Sequence, residues 1–205
     1  VITLAVDPSI NSIGAAIFAG REMTAVGRIL VPTAQRQGCH GLRAELAAAQ
    51  AIAWVGAQLA STGVMPDLVV YEWPQVYDDE KTGNKDRNDL PGLAAVGAAI
   101  VAHLREQAWR RQREVLVQTY YPAEWAHQTK KTIGERVDGK WRTRKPRVAE
   151  TWLTARAKWI AKALTERERA LAVAANHDAV DAVGIGLHHV GRLNELRVFP
   201  GATRG

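Results

Sequence analysis

Three apolar runs open the chain, residues 1–6, 13–19 and 24–31, and the connections between them are only a few residues long. Runs of this length and composition read as strands. Links so short leave no room for a crossover, so the three strands must pair antiparallel in succession. Turn formers stand where such pairing needs them, Asn11-Ser12 in the first link and Gly20-Arg21-Glu22 in the second. Two further strand candidates, 68–72 and 115–119, each follow an Ala-rich helical stretch, 41–59 and 90–113. In the first stretch Leu42, Leu46, Ala49, Ile52, Ala53 and Val55 recur at helical spacing. In the second, Pro91 sits in the first turn, where its missing N–H does no harm. The order βββαβαβ predicts an α/β fold with a mixed five-stranded sheet, three antiparallel strands and then two parallel ones, flanked by helices.

Beyond the fifth strand, residues 126–146 are polar and basic and read as a loop insertion, with a hairpin-turn signal at Val137-Asp138-Gly139-Lys140-Trp141. Residues 143–163 and 165–174 are expected to be helical, and Asn176 can cap a last helix that runs through His189. The polar stretch 73–89 reads as a loop, mobile around Asp78 to Lys85. A chain of 205 residues suits one domain, 1–205, with a sizeable core.

Hydrophobic residues make up 47% and charged residues 23%, an ordinary globular balance with no apolar run long enough for a membrane span. The first apolar run has no basic segment before it, so it is expected to be a strand and not a secretory leader. Cys39 is the single cysteine, which excludes an internal disulfide or a thiolate zinc site. No orienting partner marks it as a nucleophile, and a reducing, cytoplasmic compartment is expected. The net charge of +6 is uneven. Residues 1–110 carry 9 Lys and Arg against 11 acids, and residues 111–205 carry 18 against 10. A basic half suits a phosphate-rich partner, although a generic basic surface has the same composition.

Chemistry concentrates in four acids. Asp7 ends the first strand and Glu72 ends the fourth, each delivered by an apolar run. Asp178 and Asp181 are three residues apart in a helical sequence and so share a face. Carboxylates gathered in one place repel unless cations lie between them, and an all-oxygen donor set suits magnesium or manganese. The bland alternatives are a turn-forming Asp before Pro8, a solvated strand end at Glu72, and helix N-terminal charges favoured by the macrodipole.

Asp7-Pro8-Ser9 followed by Gly14, Glu72 at the fourth strand's end, and Asp178-Ala179-Val180-Asp181-Ala182 on the last helix resemble the RuvC-type Holliday junction resolvases of the RNase H-like superfamily. Glu72-Trp73-Pro74-Gln75-Val76-Tyr77, Asn88-Asp89-Leu90 and Tyr121-Pro122-Ala123-Glu124-Trp125 look particularly like its bacteriophage-encoded branch. The resemblance implies that Asp7, Glu72, Asp178 and Asp181 are catalytic and hold two Mg2+ or Mn2+ ions; His177, read from its place beside Asp178, could ligate a metal or orient a water, or serve only as a local cap. It also implies a homodimer that cuts four-way DNA junctions symmetrically, paired through the small-residue run Leu93 to Ala99, and acting in a bacterial host cytoplasm if phage-encoded. A basic loop residue assists such enzymes, and Lys130 and Lys131 are the nearest candidates here. Whether a helicase partner is needed is left open.

DNA contacts are expected from Lys130, Lys131, Lys140, Arg142, Arg144, Lys145 and Arg147, from Lys85 and Arg87, and from Tyr77, with Trp73 as a second candidate for a wedge in the crossover. Trp141 lies among these cations, where it could stack on a sugar or base. Trp152 and Trp159 are seven residues apart and suit a helix–core contact. Three other readings remain at this stage: a debranching nuclease for flaps and forks, a non-cleaving junction binder, and an actin-like ATP-binding domain. The last needs a second Gly-rich phosphate hairpin, and none follows Gly14.

Overall fold

The computed structural model describes residues 1–32, 40–60, 62–74, 89–126, 132–144, 146–172 and 177–198. Strand β1 (Ile2–Asp7) lies at the centre of a five-stranded sheet of order β3-β2-β1-β4-β5. Strands β2 (Ser12–Ala19) and β3 (Glu22–Leu30) continue antiparallel on one side. Strands β4 (Leu68–Glu72) and β5 (Leu116–Tyr120) add in parallel on the other. This is the mixed five-stranded sheet, three antiparallel strands and two parallel ones, that the strand order predicts.

Alternation along each strand divides the core in two. Leu4, Val6, Ile13, Ile17, Val69 and Tyr71 face one side, where α1 (His40–Leu59) and α2 (Asp89–Trp109) cover them. Ala5, Ala16, Phe18 and Val70 face the other, against α6 (His177–His189). The shorter helices α4 (Ala155–Lys162), α5 (Glu166–Ala172) and α7 (Arg192–Val198) complete that second layer. The period of two then decides the site. Asp7 and Glu72 have the parity of Ala5 and Val70, so both are directed to the α6 side of the sheet.

Glu168 is fully buried where α5, α7 and β3 meet. It accepts hydrogen bonds from the Met23 N–H at 2.7 Å, the Thr165 N–H at 2.8 Å, and Arg192 Nη1 and Nη2 at 2.6 and 2.7 Å. Burial alone would raise its pKa, but these four donors more than offset that and hold the carboxyl at about 2.

Three expectations need correction. Residues 143–163 do not form one helix: Thr143 and Arg144 belong to a strand, a 3-10 turn spans Val148–Leu153, and α4 starts only after Thr154. Pro146 cannot sit inside a helix, and the Thr154 side chain caps the new one by accepting from the Ala157 N–H at 3.1 Å. The basic segment 126–146 is not all loop, because β6 (Ile133–Val137) and β7 (Lys140–Arg144) form an antiparallel hairpin. Asp138 and Gly139 join them at φ of 50° and 76°, the left-handed pair that a two-residue hairpin turn requires. Finally, α2 ends at Trp109 rather than at Arg113, and a one-turn helix α3 (Pro122–Trp125) follows β5.

Within the small-residue run of α2, Val96 is buried and the Tyr71 ring lies where a Cβ on Gly97 would be, 2.5 Å from its nearest atom. Part of that run is therefore small because it packs on the sheet. Trp152 and Trp159 are partly buried against the α6-side core, as their spacing suggests. Among the described residues, no helix is long and apolar enough to cross a membrane.

Candidate acidic site at the end of the sheet

The backbone positions that carry the four acids lie at one end of the sheet, on its α6 side. Asp7 pairs with Gly14 of β2. Val6 pairs with Tyr71 of the parallel β4, which puts Glu72 beside Asp7 at the carboxyl ends of adjacent strands. The first turn of α6 presses on β2 directly over Gly14. A Cβ there would lie 1.9 Å from the Asp178 carbonyl oxygen, so only glycine permits this approach. The close contact brings Asp178 against the pair Asp7–Gly14, and Asp181 follows one turn later.

Their carboxylates nevertheless turn to separate partners. Asp178 Oδ2 accepts a short hydrogen bond from Ser12 Oγ and lies 3.3 Å from Arg28 Nε. Arg28 also reaches Ser12 Oγ at 3.4 Å. Asp181 is almost wholly buried and pairs with Arg156 Nη1 at 3.3 Å. Glu72 Oε2 accepts from Trp125 Nε1 at 2.9 Å. Among the described residues, no three His, Cys, Asp or Glu side chains are grouped so as to hold a metal ion. Two of the four acids, Asp178 and Asp181, are paired with guanidinium groups.

Trp125 links these elements. It is fully buried, its ring fills the space over Gly184 of α6, and Arg156 Cζ stands 5.2 Å from the ring centroid. One indole thus joins β4, α6 and α4 around the acids, with hydrogen bond, packing and cation–π contact combined. Trp125→Phe keeps the packing and deletes the N–H. A lost hydrogen bond to a charged acceptor should lower unfolding stability by about 1.5 kcal/mol, read from the urea midpoint. Trp125→Ala should cost about 3–5 kcal/mol through the cavity it leaves. Equal midpoints for Trp125→Phe and the parent would remove the bond from the account.

Ser12, Arg28, Trp125 and Arg156 were not singled out as site residues from the sequence. Parity along β2 and β3 was the available signal for Ser12 and Arg28; nothing in the local sequence of α4 announces Arg156. Of the expected DNA contacts, Lys140, Arg142 and Arg147 are exposed. Arg144 differs. Its guanidinium holds Glu150 at 2.7 and 2.8 Å and Glu135 at 2.7 Å, which keeps its own pKa raised and the Glu150 carboxyl at about 2. It anchors the hairpin through these two carboxylates. Trp73 is 39% exposed beside Tyr71. His189 Nδ1 hydrogen-bonds with Tyr120 Oη at 2.9 Å, and burial lowers the His189 pKa. Tyr77, Lys85, Arg87, Lys130, Lys131 and Lys145 lie outside the described residues, as do Cys39 and Asn176; His177 opens α6.

By donor type the acids suit a hard divalent cation, and the backbones of β1, β4 and α6 bring them to one end of the sheet, although among the described residues their carboxylates are not grouped as a ligand set. Asp178 and Asp181 would have to exchange their arginine partners to serve it.

No family model matches the chain, and no curated protein matches it. Among solved structures the chain is similar to Thermus thermophilus RuvC, at 15% identity over 96% of this chain and 97% of that one, with a TM-score of 0.47. It is also similar to T. thermophilus RuvC in complex with a Holliday junction substrate, at 12% identity over 95% of each chain, with a TM-score of 0.44. Likeness at that level leaves the chemistry to be judged from the residues themselves.

Proposed function

We propose that this protein is a metal-dependent, structure-selective endodeoxyribonuclease that resolves four-way DNA junctions by paired nicking. The observation that carries the reading is the placement of Asp7, Glu72, Asp178 and Asp181 on one face at one end of the sheet, from three stretches far apart in sequence. Two Mg2+ or Mn2+ ions held there would activate a water for in-line attack and stabilise the leaving 3′ oxygen. The protein supplies the rest. Asp7 stands centrally, on the middle strand. Trp125 orients Glu72, and Arg28 and Arg156 balance charge beside the two helix acids. The basic half of the chain draws in the phosphate backbone.

A homodimer would match the two-fold symmetry of a junction and place two such sites for symmetric cuts. Membership of the bacteriophage-encoded branch, and with it action in a bacterial cytoplasm, rests on the motifs around Glu72, Asn88 and Trp125.

The test is cleavage of a synthetic four-way junction, a fork, a flap and a linear duplex, each with Mg2+, Mn2+ or a chelator. Paired nicks near the crossover, dependent on metal and absent from linear duplex, are expected. Faster cutting of forks and flaps would move the assignment to a debranching nuclease. Branched DNA left whole in both metals would overturn it.

A further inference from the structure

Between Trp125, which touches Glu72, and Arg156, which touches Asp181, the chain leaves the sheet and builds the β6–β7 hairpin. This hairpin is an arm of two short strands. Its base is locked by Arg144, which grips Glu150 of the following 3-10 turn and Glu135 of the partner strand. Its tip is set by the left-handed pair Asp138-Gly139.

Register pairs Arg136 with Trp141 and Gly134 with Thr143, so these four share one face of the arm. The Trp141 ring leans across onto Gly134: a Cβ at that position would come within 3.3 Å of ring atom Cζ3. Strand backbone thus supports one side of the indole, yet 76% of the residue is exposed. Such a ring adds little burial to the fold, and its amphipathic plane is suited to an external partner. Its chain neighbours Lys140 and Arg142 are exposed as well but, by strand alternation, project from the opposite face of the ribbon, where Arg142 stands across from Glu135. Arg136 Nε rests on the Gly139 carbonyl at 3.3 Å and keeps its charge at the tip.

The other highly exposed indole, Trp109, offers a contrast. Its neighbours Arg110 and Arg113 are paired with Glu106 and Asp67, at the opposite end of the sheet from the acids. On the arm an open ring and an exposed cation share one face.

We propose that the arm is a stacking site for an unpaired nucleobase of branched DNA. Trp141 receives the base on its open side while Arg136, exposed on the same face, takes an adjoining phosphate. The inference rests on the nuclease reading above and deepens it by naming what selects the substrate. A continuous duplex offers no free base face, whereas a branch point does. Backbone contacts alone carry no such discrimination.

The experiment uses the Asp7→Asn protein, so that binding is read without cleavage, with Ca2+ present. The probes are a four-way junction carrying 2-aminopurine at the branch point and a linear duplex of equal length. Trp141→Ala should lower the ratio of junction to duplex affinity about tenfold and abolish the change in 2-aminopurine fluorescence. Trp141→Phe, which keeps a smaller ring, should retain most of both. Arg136→Ala should weaken both DNAs alike and reduce the salt slope by about one. Unchanged junction preference and fluorescence in Trp141→Ala would overturn the arm's role while leaving the nuclease reading intact. No junction preference in the parent itself would overturn both.

Discussion

Asp7→Asn should reduce junction cleavage on the order of a thousandfold, about 4 kcal/mol in barrier height, without loss of junction binding. The substitution preserves shape and leaves the backbone pairing with Gly14 in place. What it removes is the negative oxygen at the centre of the acidic end, between the β4 carboxylate and the first turn of α6. Under the proposed function binding is carried by cations elsewhere on the chain, so affinity should hold or rise slightly as a repulsive charge disappears near the phosphates. Single-turnover cleavage and gel-shift titration of the same preparation separate the two. Cleavage at the parent rate would remove Asp7 from the chemistry.

Arg192→Met should destabilise the fold by about 3–5 kcal/mol at neutral pH, because it strands a buried carboxylate. Glu168 would keep only the N–H groups of Met23 and Thr165, and the Arg21 carbonyl would lose its Arg192 donor as well. The pH dependence follows from the sign of each shift. In the parent, Glu168 sits at about 2, below its ordinary 4.5. Its contribution is complete above about pH 4.5 and fades as pH falls towards 2. In Arg192→Met the uncompensated burial raises that pKa above the unfolded value, so protonation relieves the strain. The deficit should therefore shrink as pH falls from 7 to 5. Pairing the change with Glu168→Gln should recover part of the loss at pH 7. Urea unfolding at several pH values measures all of this, and a neutral-pH deficit under about 1 kcal/mol would show that the pair is not critical.

These two results bear on different parts of the molecule. The Glu168–Arg192 pair fastens α5 and α7 to β3 and has no contact with the four acids. Loss of stability there and loss of chemistry at Asp7 should be separable. The Arg28 and Arg156 contacts lie between these cases, since each neutralises an acid that a cation would otherwise use.

The sheet could be derived from the chain because its evidence is local. Apolar runs of strand length, links too short for a crossover, and Ala-rich helical stretches before the fourth and fifth strands leave one arrangement of pairs. The acids at strand ends were equally visible, since an apolar run that stops on Asp7 or Glu72 must deliver it to an edge of the core. Helix limits near residues 109 and 155 were not legible. There the outcome depends on a Thr154 cap, on Pro146, and on a strand that Arg144 anchors from the body of the protein.

The direction in which each acid turns is a different kind of fact. Strand parity is a property of neighbouring residues, so linear order suffices to send Asp7 and Glu72 to the same face. The partners of Glu72, Asp178 and Asp181 lie 53, 166 and 25 residues away in the chain, and no local pattern encodes which of them a carboxylate will meet. That choice follows from packing: α6 closes on Gly14, the Trp125 indole fills the gap above Gly184, and the arginines come to rest where buried negative charge must be compensated.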